Sequence, residues 1–188
     1  MMSAEPDFEA LARRWRAMVE KEDLGGFLAS LSIRKRQIDA AKALVKADPN
    51  LNQRLVDLLI LGLSDPRAPV RFEAAHALDQ FGEPRCVPHL AKLMEDRVPR
   101  VRWMAMHALS CHACGEGSVS LAPEIVGRIC EAVRSDPSPR VRRNAAIALG
   151  ISANPAAAAT LADILVKEND PKVAQWAEWA FDRCAEAP

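Results

Sequence analysis

The chain has 188 residues, of which 49% are hydrophobic and 27% charged, as expected of a globular protein large enough to bury its own core. Lys+Arg and Asp+Glu are equal at 25 each, so no net field favours binding to nucleic acid or to an anionic membrane. No run approaches the ~18 apolar residues of a membrane span and no secretory signal precedes the cysteines, so we expect a cytoplasmic protein with reduced thiols and no membrane association.

The first predicted element is a helix within residues 6–31 that breaks at Gly25 and Gly26. RQIDAAKAL, from Arg36, then reads as a degenerate copy of a segment that recurs along the rest of the chain. Four fuller copies follow, each with an Asp, a Pro-containing turn and a version of V-R-x-x-A-A-x-A-L. Spacings of 34, 31, 40 and 32 residues separate Arg36 and the first core residues of these copies, Val70, Val101, Val141 and Val173.

Each copy predicts a helical hairpin. An Asp ends one helix, and its carboxylate is placed to accept hydrogen bonds from backbone N–H groups of the turn. The prolines fall in the turn or the first helical positions, where no backbone donor is lost. Apolar residues then recur at helical spacing, as at Val70, Ala74, Ala77 and Leu78, and another amphipathic stretch such as LNQRLVDLLILGL precedes each turn. No segment reads as a strand, so we predict an all-α fold.

The motif D-x-x-x-x-V-R-x-x-A-A-x-A-L resembles the HEAT family of helical repeats over residues 32–188, especially the short form named after phycobilisome lyases. The resemblance implies a right-handed α-solenoid of about five hairpins that forms one domain over residues 1–188. The expected units are residues 6–49, 50–82, 83–114, 121–152 and 155–186.

The same resemblance implies a ladder of Asp and Arg side chains along the stack. Its expected members are Asp65, Asp96 and Asp136 with Arg71, Arg102 and Arg142. The last copy departs from the motif: its turn, which begins at Asp170, is two residues shorter, and Ala174 replaces the arginine. The first copy lacks both the Val and the Arg, so we expect the ladder to fail at both ends.

The second helix of each hairpin should line the concave side, where a solenoid binds its partners. Its outward positions carry large apolar and aromatic side chains instead of a solvated stripe, and such residues are enriched where proteins grip partners. The alternative is that these side chains fold down between adjacent helices. The expected partner-binding residues are Phe72, His76, Trp103, Met104, His107, Ile147, Trp176 and Trp179.

The stretch WMAMHALSCHACGEG raises the question of a metal site. If the helix continues far enough, His107, Cys111 and Cys114 share one side, and His76 of the preceding copy could complete a Cys₂His₂ set suited to zinc. A single C-x-x-C is a weak signal, however, and the glycines that follow favour a packed helix end. A redox dithiol lacks the βαβ context that such motifs accompany. We therefore expect no cofactor, with zinc as the open alternative.

These observations favour a non-catalytic scaffold that binds a peptide or helix of another protein in its concave groove, acting as a monomer. The sequence contains no Ser-His-Asp order, no phosphate loop and no paired carboxylates at a defined spacing. We therefore do not expect an enzyme. An enzyme-accessory role is conceivable through the lyase-type resemblance, which marks architecture only. A nucleic-acid-binding HEAT-like protein would need a basic groove, whereas Glu73, Asp79 and Asp182 share this face.

Overall fold

The computed structural model describes residues 8–31, 48–81, 83–110 and 121–186. Within these ranges the regular structure is helical and contains no strand, so the all-α prediction is confirmed. None of the helices in these ranges is long and apolar enough to cross a membrane. The copy that begins at Arg36 lies outside the described residues. The α-helices are α1 (Phe8–Glu20), α2 (Leu24–Leu31), α3 (Pro49–Gly62), α4 (Ala68–Phe81), α5 (Val87–Leu93), α6 (Pro99–Ser110), α7 (Pro123–Ser135), α8 (Pro139–Ser152), α9 (Ala158–Lys167) and α10 (Pro171–Ala185), and short 3₁₀ turns precede α5 and α9.

The helices pair into hairpins that stack in two layers. The pairs are α3 with α4, α5 with α6, α7 with α8, and α9 with α10. The second helices α4, α6, α8 and α10 contact one another extensively in succession, whereas the first helices contact one another sparsely. A two-layer stack curves towards the layer that packs more closely. The second helices therefore form the inner layer, and the first helices form the outer one.

Alanine allows the close packing of the inner layer. Ala74, Ala105, Ala145 and Ala177 occupy the same place in their hairpins, and each is 0% exposed. A methyl side chain lets two helix backbones approach at the short end of the ~8–10 Å range of helix packing. The repeated alanine of the motif therefore sets the curvature that the inner layer requires.

The turn inside each hairpin is held by its own carboxylate. Asp65, Asp96 and Asp136 each accept a hydrogen bond from the backbone N–H two residues later, at 2.8, 2.8 and 2.9 Å. A proline then starts the next helix in the last three hairpins, where its missing N–H costs no hydrogen bond. Local chemistry alone therefore specifies where each inner helix begins.

The Arg–carboxylate ladder joins each hairpin to the next. Arg71 donates to both carboxylate oxygens of Asp96 at 2.6 and 3.0 Å, and Arg102 does the same to Asp136 at 2.7 and 2.8 Å. The remaining Nη1 of Arg102 donates to the backbone carbonyl of Asp96 in its own turn at 2.9 Å. Each arginine thus closes its own turn and binds the following one, which stabilises the stacking of neighbouring units.

The C-terminal end of the ladder differs from the expectation. Arg142 donates to both oxygens of Glu168 at 2.7 and 2.9 Å, so the ladder continues by one further pair. Glu168 lies five residues before Val173, the offset that Asp136 has from Val141. Asp170 has another role: it caps α10 and accepts from the N–H groups of two residues in the first turn of that helix. The last turn is therefore of ordinary length, and the prediction of a failed final pair was wrong.

The ladder favours the charged form of Asp96 and of Glu168. Burial opposes ionisation of Asp96, but the hydrogen bonds from Arg71 and from the Val98 N–H outweigh it and lower the pKa of this carboxyl. The hydrogen bond from Arg142 lowers the pKa of Glu168 in the same way. Both carboxylates are consequently ionised and paired at neutral pH.

The N-terminal helices break earlier than predicted. The chain turns at Glu22, whose φ of 56° is left-handed, and α2 begins at Leu24. Gly25 and Gly26 thus lie inside the first turn of α2. The Asp23 carboxylate accepts from the Gly26 N–H at 2.9 Å and lies so close that a Cβ at Gly26 would collide with it. The glycine makes room for this cap and does not break the helix.

Candidate functional site

The solvent-facing side of α4, α6, α8 and α10 is called the inner face below. Its C-terminal end carries two tryptophans of α10, whose rings meet edge to face with centroids 5.5 Å apart. Trp176 is 37% exposed, which makes it one of the few large apolar side chains that face solvent in the described part of the chain. Trp179 is half-buried and packs against the core. The exposed ring of Trp176 therefore packs against the fixed ring of Trp179.

Trp179 is fixed because α8 has no side chain beneath it. A Cβ at Gly150 would lie only 2.7 Å from Cε3 of Trp179, so only glycine at this position lets the indole ring lie against α8. Arg183 also lies over the Trp179 ring, with its Cζ 5.4 Å from the ring centroid. The Nε of Arg183 donates to the Gly150 carbonyl at 2.7 Å. These contacts hold Trp179 and orient its neighbour Trp176.

A second aromatic group lies on α4 and α6. Phe72 and Trp103 meet edge to face with centroids 5.6 Å apart. Phe72 is only 8% exposed, and Trp103 is half-buried against the core. The indole Nε1–H of Trp103 is buried and has no hydrogen-bond acceptor in the described structure. Most of this aromatic group is therefore inter-helix packing.

Two of the predicted partner-binding residues do not belong to the exposed surface. Met104 is 1% exposed and lies in the core, and Phe72 is buried under its neighbours. Each inner helix inside the stack has a neighbour on both flanks, so only a narrow stripe of it reaches solvent. The positions that flank this stripe are covered. The other six predicted residues remain at least partly exposed on the inner face: His76, Trp103, His107, Ile147, Trp176 and Trp179.

Arginines from the following hairpin cover the buried rings. The Cζ of Arg100 lies 4.0 Å from the centroid of the Phe72 ring, and that of Arg140 lies 4.7 Å from the Trp103 ring. Both arginines are exposed. The sequence analysis missed this contact, although each arginine directly precedes the first valine of its copy. Cation–π stacking thus links successive hairpins on the inner side.

The histidines of this face each have a carboxylate nearby. His107 Nε2 lies 3.8 Å from an oxygen of Asp79, a carboxylate that is 3% exposed and that also accepts from the Gln80 amide. His76 Nδ1 lies 3.7 Å from a Glu73 oxygen on the same helix. These separations allow an ion pair when the imidazole is protonated.

The proposed zinc set is divided between described and undescribed residues. His76 and His107 lie on α4 and α6, and Cys111 and Cys114 lie outside the described residues. Among the residues that are described, no group of three or more His, Cys, Asp or Glu side chains is placed to hold a metal ion. The zinc site therefore stays a hypothesis.

The other cysteines belong to the core. Cys86, Cys130 and Cys184 are free and buried. Burial raises the pKa of the Cys86 and Cys184 thiols, which disfavours the nucleophilic thiolate. These three side chains contribute packing.

The repeat sequence matches a known family. A family model for HEAT repeats matches residues 56–122 and 111–182, which together span most of the chain. The chain belongs to the HEAT-repeat family. No curated protein matches the sequence of this HEAT-repeat protein at a significant level.

The fold was compared with those of solved repeat structures. A designed armadillo repeat protein in complex with the peptide (KR)4 is similar with 17% sequence identity and a TM-score of 0.53, covering 96% of this chain and 95% of that one. A second designed armadillo repeat protein gives 17% identity, a TM-score of 0.49 and coverages of 97% and 96%. The first similarity shows that the HEAT-repeat chain shares the fold of helical-repeat stacks.

The HEAT-repeat architecture leaves the inner face with two kinds of surface. The C-terminal part offers the exposed Trp176, with the half-buried Ile147 on the neighbouring helix α8. The edge where the inner helices begin offers exposed basic side chains, including Arg100 and Arg140. Such a surface can bury an apolar anchor and pair with charged groups.

Proposed function

We propose that this HEAT-repeat protein is a non-catalytic scaffold that binds a peptide or helix of another protein on its inner face. The observation that carries the proposal is the exposed Trp176 ring, held edge to face on the fixed Trp179. An exposed aromatic side chain that is already ordered loses little conformational entropy when a partner covers it. Aromatic anchors of this kind dominate the energy of protein interfaces.

The length of the inner face suits an elongated partner. Neighbouring inner helices are ~8–10 Å apart, so the way from α4 to α10 covers about 25–30 Å. An extended peptide of about eight or nine residues, or a helix of about five turns, has this length. The designed armadillo repeat protein that is in complex with the peptide (KR)4 offers a precedent for a peptide on a helical-repeat stack.

The remaining parts of the proposal follow from the same residues. We propose that the protein acts without catalysis and without a required cofactor, as a cytoplasmic monomer. The buried thiols Cys86 and Cys184 supply no nucleophile, because burial raises their pKa. We also assign the protein to the short, phycobilisome-lyase-type form of the repeat, because three of the four spacings between copies are 31–34 residues.

The test is a selection of random peptides displayed on phage against the full chain. Affinities of the enriched peptides are then measured by isothermal titration calorimetry with Trp176→Ser and with a matched control, Val166→Ser. Val166 is 85% exposed on the outer helix α9, so the control removes an exposed apolar side chain from the opposite layer. Loss of a buried aromatic anchor typically costs ~2 kcal/mol or more, equivalent to about thirtyfold in affinity.

We expect Trp176→Ser to weaken binding by about this factor, and Val166→Ser to leave it unchanged. Melting followed by circular dichroism should be the same for both variants, because neither side chain is in the core. Peptides that bind Trp176→Ser as tightly as the original chain would contradict the proposal.

A further inference from the structure

We infer that the partner segment is acidic, with carboxylates that pair with a row of cations along the inner face. This inference rests on the proposed function, because it names the class of partner that the same face binds. The basic row is defined as Arg100, Arg140, Arg143 and Lys172. These residues lie in the first two turns of three successive inner helices, α6, α8 and α10.

The charge of the basic row is not compensated within the described structure. None of its four side chains forms an ion pair with a described carboxylate. By contrast, each ladder arginine is paired with two carboxylate oxygens: Arg71 on α4, Arg102 on α6 and Arg142 on α8. The basic row therefore places four cations without a described ion-pair partner on the inner helices.

The nearby acids form no ion pair with the basic row in the described structure. The Asp170 carboxylate already accepts two hydrogen bonds as the cap of α10, and Glu73 lies beside His76 on α4. Asp79 and Asp182 lie in the last two turns of their helices. In the repeat motif, the position that Arg100 occupies comes ten residues before the position that Asp79 occupies. On a helix this separation is a rise of about 15 Å along the axis. The basic row thus lies along the edge of the inner face where the inner helices begin, away from Asp79 and Asp182.

Two members of the row are already oriented. Arg100 and Arg140 lie over the Phe72 and Trp103 rings at 4.0 and 4.7 Å. A guanidinium that covers a ring with its flat face keeps its in-plane N–H donors available at the edge, where a carboxylate can accept two of them. Because the ring restrains the side chain before binding, less entropy is lost when the ion pair forms.

The same stacking argues for a peptide over a nucleic acid. Proteins that hold single-stranded nucleic acid stack its bases on exposed aromatic rings. Here the two rings beside the basic row are covered by arginines, and Phe72 is buried. An extended peptide rises about 3.3 Å per residue, so a carboxylate at every third residue reaches successive helices ~8–10 Å apart. A segment with Glu or Asp at that spacing and an apolar residue for Trp176 fits both parts of the face.

The experiment uses the strongest phage-selected peptide, labelled with fluorescein, and a version of it with Gln and Asn in place of Glu and Asp. Binding is measured by fluorescence anisotropy with the variant Arg100→Gln/Arg140→Gln/Arg143→Gln. The matched control, Lys92→Gln/Arg134→Gln/Lys167→Gln, removes the same charge from the outer helices α5, α7 and α9. A fluorescein-labelled single-stranded oligonucleotide of mixed sequence is the third probe.

We expect the selected peptides to be rich in acidic residues. The inner triple variant should weaken the peptide about tenfold, since each exposed ion pair contributes about two- to fivefold. The control variant should bind the peptide with an affinity within about twofold of that of the original chain. The amide version of the peptide should bind weakly to both variants, and peptide binding should weaken as the salt concentration rises. If circular dichroism shows that the inner triple variant is unfolded, the single variant Arg143→Gln replaces it, because Arg143 stacks on no described ring. This single variant should weaken peptide binding about two- to fivefold.

The outcomes separate this inference from the proposed function. Peptides that need Trp176 but carry no excess of acid, or that bind the inner triple variant normally, overturn the acidic partner and leave the scaffold proposal standing. Peptides that need the basic row but not Trp176 support the acidic partner and contradict the aromatic anchor. An oligonucleotide that binds more tightly than the peptide and is lost with the same triple variant overturns the inference in favour of nucleic acid.

Discussion

Replacing Arg102 with alanine tests whether the ladder holds the stack together. Arg102 is central because its guanidinium makes three hydrogen bonds, two to Asp136 across the junction with the next hairpin and one to the Asp96 carbonyl in its own turn. Its side chain is 12% exposed and that of Asp136 is 7% exposed. Truncation therefore leaves a buried carboxylate with only the Ser138 N–H as a described donor.

The expected loss follows from these contacts. Breaking a buried ion pair by removing one partner costs about 3–5 kcal/mol, and some solvent access to Arg102 places the expectation near the lower end, at about 3 kcal/mol. For a chain of this size, this corresponds to a fall in melting temperature of about 6–12 °C. The matched control is Arg143→Ala, the same change at a half-buried arginine without an ion pair, for which about 0.5 kcal/mol or less is expected.

The assay is urea denaturation followed by far-ultraviolet circular dichroism, completed as a double-mutant cycle with Asp136→Ala. Because the two side chains are in direct contact, the cycle should give a coupling of about 2 kcal/mol. Equal losses in Arg102→Ala and Arg143→Ala, or a coupling near zero, would refute the reasoning that the ladder binds successive hairpins.

Three further outcomes are expected. Gly150→Ala should destabilise the protein by about 1–3 kcal/mol and shift tryptophan fluorescence, because the new methyl group displaces Trp179; unchanged emission would contradict this packing. Asp96 has a lowered pKa, so its contribution to the free energy of unfolding is complete at pH values above 3.8, the ordinary pKa of this carboxyl, and is lost as the pH falls below 3.8. Asp96→Asn should therefore make the free energy of unfolding depend less on pH below 3.8, and an unchanged pH dependence would count against the ion pair. Protein purified without an affinity tag from zinc-supplemented culture should hold far less than one zinc per chain, and stoichiometric zinc that Cys111→Ser releases would reverse this expectation.

The ladder shows how a repeat can be aligned by the wrong feature. Matching Asp170 to the earlier aspartates by residue type made the last turn look short. Matching by distance from the first valine identifies Glu168, which stands five residues before Val173 and pairs with Arg142. The carboxylate and its offset matter to the ion pair, and Glu serves in place of Asp. This pair was therefore available to sequence reasoning.

The exposed surface was only partly available. A helical wheel treats each inner helix as if it stood alone, and on that basis Phe72 and Met104 point outward. In the stack both flanks of such a helix are covered, so Met104 is 1% exposed and Phe72 is 8% exposed. Trp176 stays exposed because α10 has a described inner neighbour only on the α8 side.

The sequence by itself determined the helices, the turns and the repeat, because these depend on interactions within a few residues. Helical periodicity, prolines at helix starts and an Asp that accepts from its own turn require no knowledge of distant contacts. Only the tertiary structure decided which carboxylate meets which arginine, which rings Arg100 and Arg140 cover, and which face remains open. Those contacts join residues in different hairpins, and their partners are set by the stagger and the close packing of neighbouring helices. That geometry arises when the hairpins stack, and no single copy of the repeat contains it.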